Sequence, residues 1–314
     1  MNKTGQLLSN NDFIKIKKFL KCYYDTLYLN IENKLCYIEK ALKEEIKDFL
    51  KYSKNIRSIV LFLLCLANDT EIDENIIKIG AITELIHNAS IIHDDVVDKA
   101  QIRRGKKTFN KKYDNKFACL LGDYILTIAV KEMYSLNSQR IEKYFNRTIN
   151  HMCLGEINQY KNRNIVSDIN NYIIKCIKKT SLLFEAPIYA YCVLYVKEYK
   201  KAIKFIKFAR YLGIAFQIKD DLNNILDENK QKPLLNDIQN RIYNSSFIYA
   251  YNDYPELLKK SKKDIIEIVR KEKYTYKSIN LIEKYVNKAE NELDCIKESI
   301  NKEYLFTILN MFML

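Results

Sequence analysis

Glycine and proline are scarce in this chain, which has six glycines and three prolines in 314 residues. Sheet-rich and turn-rich folds need these two residues as local breaks, because glycine adopts left-handed backbone conformations and proline fixes tight turns. Hydrophobic residues make up 48% of the chain, which is enough for a substantial core. The composition therefore predicts long helices and argues against a β fold.

The spacing of apolar residues supports helices almost everywhere. Ile59, Phe62, Leu63 and Leu66 recur at three- and four-residue intervals, as do Leu35, Ile38, Leu42 and Ile46. Further helices are predicted over about residues 74–98, 116–135, 139–162, 168–196, 199–226, 254–271 and 276–300. The segments 99–114 and 228–244 are predicted as connections. No repeat or linker divides the chain, so we expect one all-helical domain over residues 1–314.

The charge and the cysteines restrict the class of protein. Lysine and arginine total 52 against 39 acidic residues, a net charge of +13. These basic residues are spread along the chain without a nucleic-acid-binding motif, so we expect no nucleic-acid partner; a basic surface still suits phosphate-bearing substrates. The eight cysteines form no CxxC pair, which indicates reduced thiols. The best apolar run, Ile59–Ala67, is half of what a membrane span needs. We expect a soluble intracellular protein.

The segment ELIHNASIIHDDVVD (84–98), followed by Arg103-Arg104-Gly105, carries the strongest chemical signal. On a helix Asp94 and Asp98 lie one turn apart on the same face. Carboxylates packed beside isoleucine and valine repel one another unless a cation joins them, and Mg²⁺ shared with substrate phosphates fits such oxygen ligands. The alternative is structural: the aspartates cap a helix end or pair with the two arginines.

A second acidic segment, FQIKDDLNN (216–224), ends another apolar helix. Two acidic helix ends facing each other across a cavity could hold several magnesium ions around one diphosphate. Such a cluster would help an allylic carbon–oxygen bond to ionise.

Together these motifs resemble those of the trans-isoprenyl diphosphate synthases, most closely the long-chain polyprenyl diphosphate synthases. GDYIL (122–126), GEINQ (155–159) and Lys179-Thr180 follow in family order, and the resemblance runs from about Lys54 to Asp237. It implies an isoprenoid synthase fold, a large helical bundle around a central substrate cavity. It also implies a Mg²⁺-dependent prenyltransferase with up to three ions, which condenses isopentenyl diphosphate head-to-tail with an allylic diphosphate. A homodimer is expected and a heteromer is possible, in the cytoplasm or in the matrix of a mitochondrion or plastid.

The resemblance also implies residue roles. The metal ligands would be Asp94, Asp95, Asp98, Asp220 and Asp221, with Asp95 supporting the cluster. Isopentenyl diphosphate would be held by Lys54, Arg57, His87 and Arg104. The allylic substrate would be held by Arg103, Lys179, Gln217 and Lys232, with Lys179, Thr180 and Gln217 as catalytic residues. Without the family, the lysines would be interpreted as surface charge and His87 as a core histidine. By family rules, the small side chains of Ala89 and Ser90 favour a product of about C20 or longer, if the wall near Ile82, Leu85 and Ile86 also permits it.

Three departures leave other functions open. The family motif GGKRxR is reduced to Ser53-Lys54-Asn55-Ile56-Arg57, the second DDxxD ends in Asn224, and a glycine–lysine pair is replaced by Arg241-Ile242. One alternative is a weakly active or noncatalytic subunit that binds isoprenoid diphosphates or partners an active chain. Another is a class I terpene cyclase, because 220–228 comes near that family's second metal motif. A cyclase would not need isopentenyl diphosphate or the residues that hold it.

Overall fold

Helices form nearly all of the regular structure. A computed structural model describes residues 10–51, 53–161, 165–226 and 243–313. In chain order its helices are α1 (Asn10–Phe19), α2 (Lys21–Lys34), α3 (Lys40–Lys51), α4 (Ile56–Ala67), α5 (Glu74–Val97), α6 (Phe109–Lys112), α7 (Asn115–Tyr134), α8 (Gln139–Lys161), α9 (Ile169–Cys176), α10 (Leu182–Tyr195), α11 (Tyr199–Leu226), α12 (Ser245–Asp253), α13 (Lys262–Val269), α14 (Glu272–Asn291) and α15 (Ile300–Asn310). The predicted all-α class is confirmed.

In the described part of the chain, two short strands and two short turns lie between these helices. Strands β1 (Ile102–Arg103) and β2 (Lys106–Lys107) pair antiparallel as a small hairpin. A π-helical turn, Ile177–Ser181, joins α9 to α10, and a 3₁₀ turn covers Pro255–Lys259.

Aspartate side chains cap the N-termini of several helices in this chain, which has few prolines and glycines to mark helix ends. Asp73, Asp114 and Asp168 each accept a hydrogen bond from the backbone N–H three residues later, at the starts of α5, α7 and α9. Each bond satisfies a donor that the first helical turn leaves without a partner. Helix α5, which carries the first acidic segment, therefore has a defined starting point despite the composition.

The core lies between the long helices. Nearly every residue of α4 is buried, and so are most residues of α5 from Ile76 to Ile92, where α5 packs against α7, α2, α4 and α10. Helix α11 packs against α10 and α14. This arrangement brings the C-terminal ends of α5 and α11, and so both acidic segments, to one cavity. Within the described ranges, no helix is long and apolar enough to cross a membrane.

Several boundaries differ from the sequence prediction. The segments expected as single helices over 168–196 and 276–300 are interrupted by the π turn and by the end of α14, and the one over 254–271 is divided between the 3₁₀ turn and α13. The apolar rhythm through Leu35–Ile46 continues across the break between α2 and α3. Periodicity does not separate one helix from two whose apolar faces meet the same core. The predicted connection 99–114 contains the hairpin and α6, and that over 228–244 lies outside the described residues up to position 242.

Candidate active site

A cavity of about 510 Å³ collects most of the predicted site residues. Its walls come from α4, α5, α7, α8, α11, the hairpin and the π turn. The predicted residues that line it are Lys54, Arg57, His87, Asp94, Arg103, Arg104, Lys179, Thr180, Gln217 and Asp220. Three others, Asp95, Asp98 and Asp221, are not among the lining residues, and Lys232 lies outside the described part of the chain.

The two neighbouring aspartates at the end of α5 face different surroundings. Asp94 lines the cavity, and burial raises its pKa to about 6, with Lys179 opposing and Glu156 and Asp98 reinforcing that shift. Asp95 is 3% exposed and accepts a hydrogen bond from Arg103 Nε at 2.6 Å. Asp98 caps the helix at its exposed end. Only one of the three carboxylates therefore lines the cavity, while Asp95 fixes an arginine.

The hairpin places the two arginines of the RRG motif. Arg103 is tied to Asp95, and Arg104 and Gly105 form its turn with φ values of 51° and 77°. Two consecutive residues with positive φ are typical of a type I′ turn between short strands. A positive φ is strained for a large side chain such as arginine. From this turn Arg104 lines the cavity.

A second group of residues in the cavity wall carries buried positive charge. Arg57 is 6% exposed, its Nε has no hydrogen-bond partner among the described residues, and its guanidinium lies 4.7 Å from the centre of the Phe184 ring. Burial lowers the pKa of Arg57 to about 10, although the nearby Glu84 carboxylate opposes this shift. Burial also lowers the pKa of His87 well below its usual value, and Arg57 and Arg104 lower it further. A bound anion would relieve the mutual repulsion of these groups.

Two charged residues that interact with these cations, without lining the cavity themselves, were not predicted from the sequence. Glu84 is buried, and its Oε1 accepts hydrogen bonds from Ser58 N and Oγ at 3.2 and 2.8 Å. Lys17, on α1, donates to the Ser53 carbonyl at 3.4 Å. Burial lowers the pKa of Lys17, as do the charges of Lys54 and Arg104, whereas Glu84 raises it. No motif marked Lys17, because α1 is far from the acidic segments in sequence.

The π turn positions Lys179 and Thr180. Gly213 of α11 lies against it: a Cβ atom there would meet Ser181 Cα at 2.6 Å, so another residue would force the turn away. Lys179 Nζ pairs with Glu156 Oε1 at 2.7 Å. Burial lowers the pKa of Lys179, but the carboxylates of Glu156 and Asp94 outweigh it and raise the pKa overall. A π turn inside a helix is often found at functional sites, and here it holds a cation between two acidic helix ends.

The two aspartates at the end of α11 also have different surroundings. Asp220 lines the cavity. The carboxylate of Asp221 accepts from Tyr172 Oη at 2.7 Å and from Gln217 Nε2 at 2.8 Å. The Gln217 carbonyl accepts in turn from the Thr180 hydroxyl. Tyr172 was not predicted from the sequence, since a buried tyrosine carries no motif of its own.

The donor chemistry fits a divalent cation that is shared with a diphosphate. Among the residues with described positions, no three acidic, histidine or cysteine side chains are close enough to hold an ion by themselves. Mg²⁺ commonly uses one or two carboxylates and takes its remaining ligands from water and substrate phosphates. The raised pKa of Asp94 marks a carboxylate that a cation would stabilise.

The remaining cavity wall is apolar. Ile86, Ala89, Leu126, Ile149 and Phe216 line it beyond the charged groups. Ala89 and Ser90 add little volume, as expected from the sequence. Of the predicted lower wall, Ile86 lines the cavity, and Ile82 and Leu85 are buried in the core. The cavity can therefore take a substrate with a charged head and a hydrocarbon tail.

Known proteins are similar to this chain in sequence and in fold. The polyprenyl synthetase family model matches residues 39–286. The heptaprenyl diphosphate synthase component 2 of Bacillus subtilis is 30% identical over 257 residues, which cover 77% of this chain and 73% of that protein. Among solved structures, a decaprenyl diphosphate synthase from Rhodobacter capsulatus matches with a TM-score of 0.86 at 19% identity, covering 96% of this chain and 98% of that one.

A second solved structure contains ligands. The polyprenyl synthase from Caulobacter crescentus, described as complexed with calcium and isoprenyl diphosphate, matches with a TM-score of 0.84 at 19% identity and covers 98% of each chain. At this identity, the likeness to both solved structures concerns the fold. It agrees with the helical bundle and central cavity of this chain.

Proposed function

This chain belongs to the polyprenyl synthetase family, and on that premise we propose that it is a trans-polyprenyl diphosphate synthase. It condenses isopentenyl diphosphate with an allylic diphosphate. The observation that carries this proposal is the composition of one cavity: buried cations on one wall, carboxylates at two helix ends, and an apolar continuation. An allylic diphosphate and an isopentenyl diphosphate together require all three features.

Each wall has a role in this reaction. Arg57, Lys54 and Arg104 hold the diphosphate of isopentenyl diphosphate, which offsets their mutual repulsion. Arg103 and Lys179 hold the allylic diphosphate. Mg²⁺ bound between this diphosphate and the helix-end carboxylates would neutralise charge on the leaving group.

The bond changes then follow. The allylic carbon–oxygen bond breaks and diphosphate leaves, so positive charge develops on the allylic carbon. The oxygens of Thr180 and Gln217 face this charge and stabilise it. The double bond of isopentenyl diphosphate supplies the electron pair of the new carbon–carbon bond. The released diphosphate accepts the proton lost in the last step.

The test is an assay of purified protein with radiolabelled isopentenyl diphosphate, Mg²⁺ and geranyl, farnesyl or geranylgeranyl diphosphate, with products resolved by chain length. We expect products of about C20 or longer. Conversion of the allylic substrate without isopentenyl diphosphate would instead identify a cyclase. Absence of incorporation, in folded protein that binds the diphosphates, would overturn the catalytic assignment.

A variant in the apolar wall tests the product length. We expect Ala89→Phe to shorten the product, because the phenyl ring would enter the cavity beside the first acidic segment. Leu29→Phe, at an exposed site on α2, is the control and should leave the product unchanged.

A second function is suggested by the relative from Bacillus subtilis, which is named as one component of a synthase. This chain could likewise act with a partner chain, a role compatible with Asn224 in the second acidic segment. Size-exclusion chromatography with light scattering, combined with the assay above, distinguishes the two. A homodimer with turnover supports the first proposal, and an inactive protein that gains turnover on addition of a partner supports the second.

A further inference from the structure

Four side chains from three elements form a continuous hydrogen-bond chain beside the cavity. Tyr172 of α9 donates to Asp221 Oδ2, Gln217 donates to Asp221 Oδ1, and Thr180 of the π turn donates to the Gln217 carbonyl. Thr180 and Gln217 line the cavity, whereas Tyr172 is 1% exposed. The chain therefore runs from the buried core to the cavity surface.

The direction of each hydrogen bond follows from the first. An ionised carboxylate only accepts, so Asp221 requires a donor from both Tyr172 and Gln217. Gln217 must then turn its NH₂ group toward Asp221 and its carbonyl toward Thr180. The single hydroxyl proton of Thr180 is used on that carbonyl. The Thr180 oxygen can present only lone pairs to the cavity.

We propose that Tyr172 and Asp221 are positioning residues that fix the orientation of Gln217 and Thr180, so that Thr180 presents oxygen lone pairs and no hydroxyl proton to the reacting carbon. This inference rests on the proposed function. It replaces the metal-ligand role expected for Asp221 from the sequence and leaves that role to Asp220, which lines the cavity.

The two roles predict different kinetics for neighbouring substitutions. In Asp221→Asn, the remaining carbonyl keeps Tyr172 as its donor and the new NH₂ group faces Gln217. Gln217 then reverses, and Thr180 turns its proton toward the cavity. We expect kcat to fall about 10- to 100-fold with an unchanged Mg²⁺ requirement. The matched variant Asp220→Asn should raise the Mg²⁺ concentration needed for half-maximal rate.

Two further variants test the direction of the hydrogen bonds. In the double variant Gln217→Glu with Asp221→Asn, the new carboxylate accepts from both Asn and Thr180, which restores the Thr180 orientation. We expect it to recover most of the kcat lost in Asp221→Asn. Tyr172→Phe removes one donor and keeps the ring in the core, so we expect a smaller loss of kcat, again without a change in the Mg²⁺ requirement.

The experiment measures kcat, both substrate KM values and the Mg²⁺ dependence of the wild type and these variants, with circular dichroism and Tm to verify folding. Recovery in the double variant together with an unchanged Mg²⁺ dependence in Asp221→Asn is the expected result. A raised Mg²⁺ requirement in Asp221→Asn, or no recovery in the double variant, overturns the inference. Absence of turnover in the wild type would contradict the proposed function itself, which keeps the two failures distinct.

Discussion

The ends of α5 and α11 carry similar pairs of aspartates, yet the second aspartate of each pair has different partners. Asp94 and Asp220 both line the cavity. Their neighbours lie away from it: Asp95 binds the guanidinium of Arg103, whereas Asp221 binds two neutral donors, Tyr172 and Gln217. The α5 end thus fixes a cation that suits a diphosphate, and the α11 end fixes an uncharged amide that suits a developing carbocation. We therefore propose that in each pair one aspartate binds the metal and its neighbour positions another side chain.

The largest effect is expected at the carboxylates of the α5 end. Replacing Asp94 and Asp98 together with alanine removes the charge that would hold Mg²⁺, so condensation should fall by at least about 10³-fold. The measurement is incorporation of radiolabelled isopentenyl diphosphate at saturating Mg²⁺. Asp25→Ala, which breaks an exposed pair with Lys21 on α2, is the control. Turnover that survives in the double variant would contradict the metal assignment.

The next effect separates the second aspartate from the first. In Asp95→Asn, Arg103 loses an ion pair of 2.6 Å that fixes its position. We therefore expect Arg103 to bind the allylic diphosphate more weakly. A loss of about 1.5–3 kcal/mol corresponds to a rise of one to two decades in KM for the allylic substrate. Isopentenyl diphosphate should keep its KM.

The hairpin offers a control for this change. Lys106 pairs with Asp48 at 3.3 Å, and both side chains are half exposed or more. Exposed pairs contribute little, so Asp48→Asn should alter either KM less than about twofold. Equal effects of the two substitutions would show that Asp95 only stabilises the hairpin.

The sequence predicts the α5 motif and the fold better than it predicts the partners of the second aspartates. The helix, the i,i+4 relation of Asp94 and Asp98, and the family resemblance all follow from contiguous residues, and the all-α fold and the family are confirmed. The partners of the second aspartates depend on packing between distant segments. Asp221 meets Tyr172 from 49 residues earlier, and the approach of α11 to the π turn depends on the lack of a side chain at Gly213.

A moderate effect on kcat is expected from adding a carboxylate to the α11 end, which makes it more similar to the α5 end. Asn224 stands one turn after Asp220, where a carboxylate would complete the motif. If the missing charge limits turnover, Asn224→Asp should raise kcat about three- to tenfold and lower the Mg²⁺ requirement. Asn223→Asp adds the same charge at the neighbouring exposed position and should change little. An unchanged kcat in Asn224→Asp would locate the limitation elsewhere in the chain.

The smallest expected effect is a shift in Tm on ligand binding. This measurement compares the ends of α5 and α11 without requiring turnover. A ligand at about 100 times its Kd stabilises the folded state by about 2.7 kcal/mol, so Mg²⁺ with inorganic diphosphate should raise Tm by about 5 °C, and a chelator should reverse the shift. Asp94→Asn should lose most of this shift, because its carboxylate faces the cavity. Asp221→Asn should keep it, because both Asp221 oxygens are already used by the protein. Equal losses in the two variants would mean that both ends bind the metal, and the contrast between ligation and positioning would then fail.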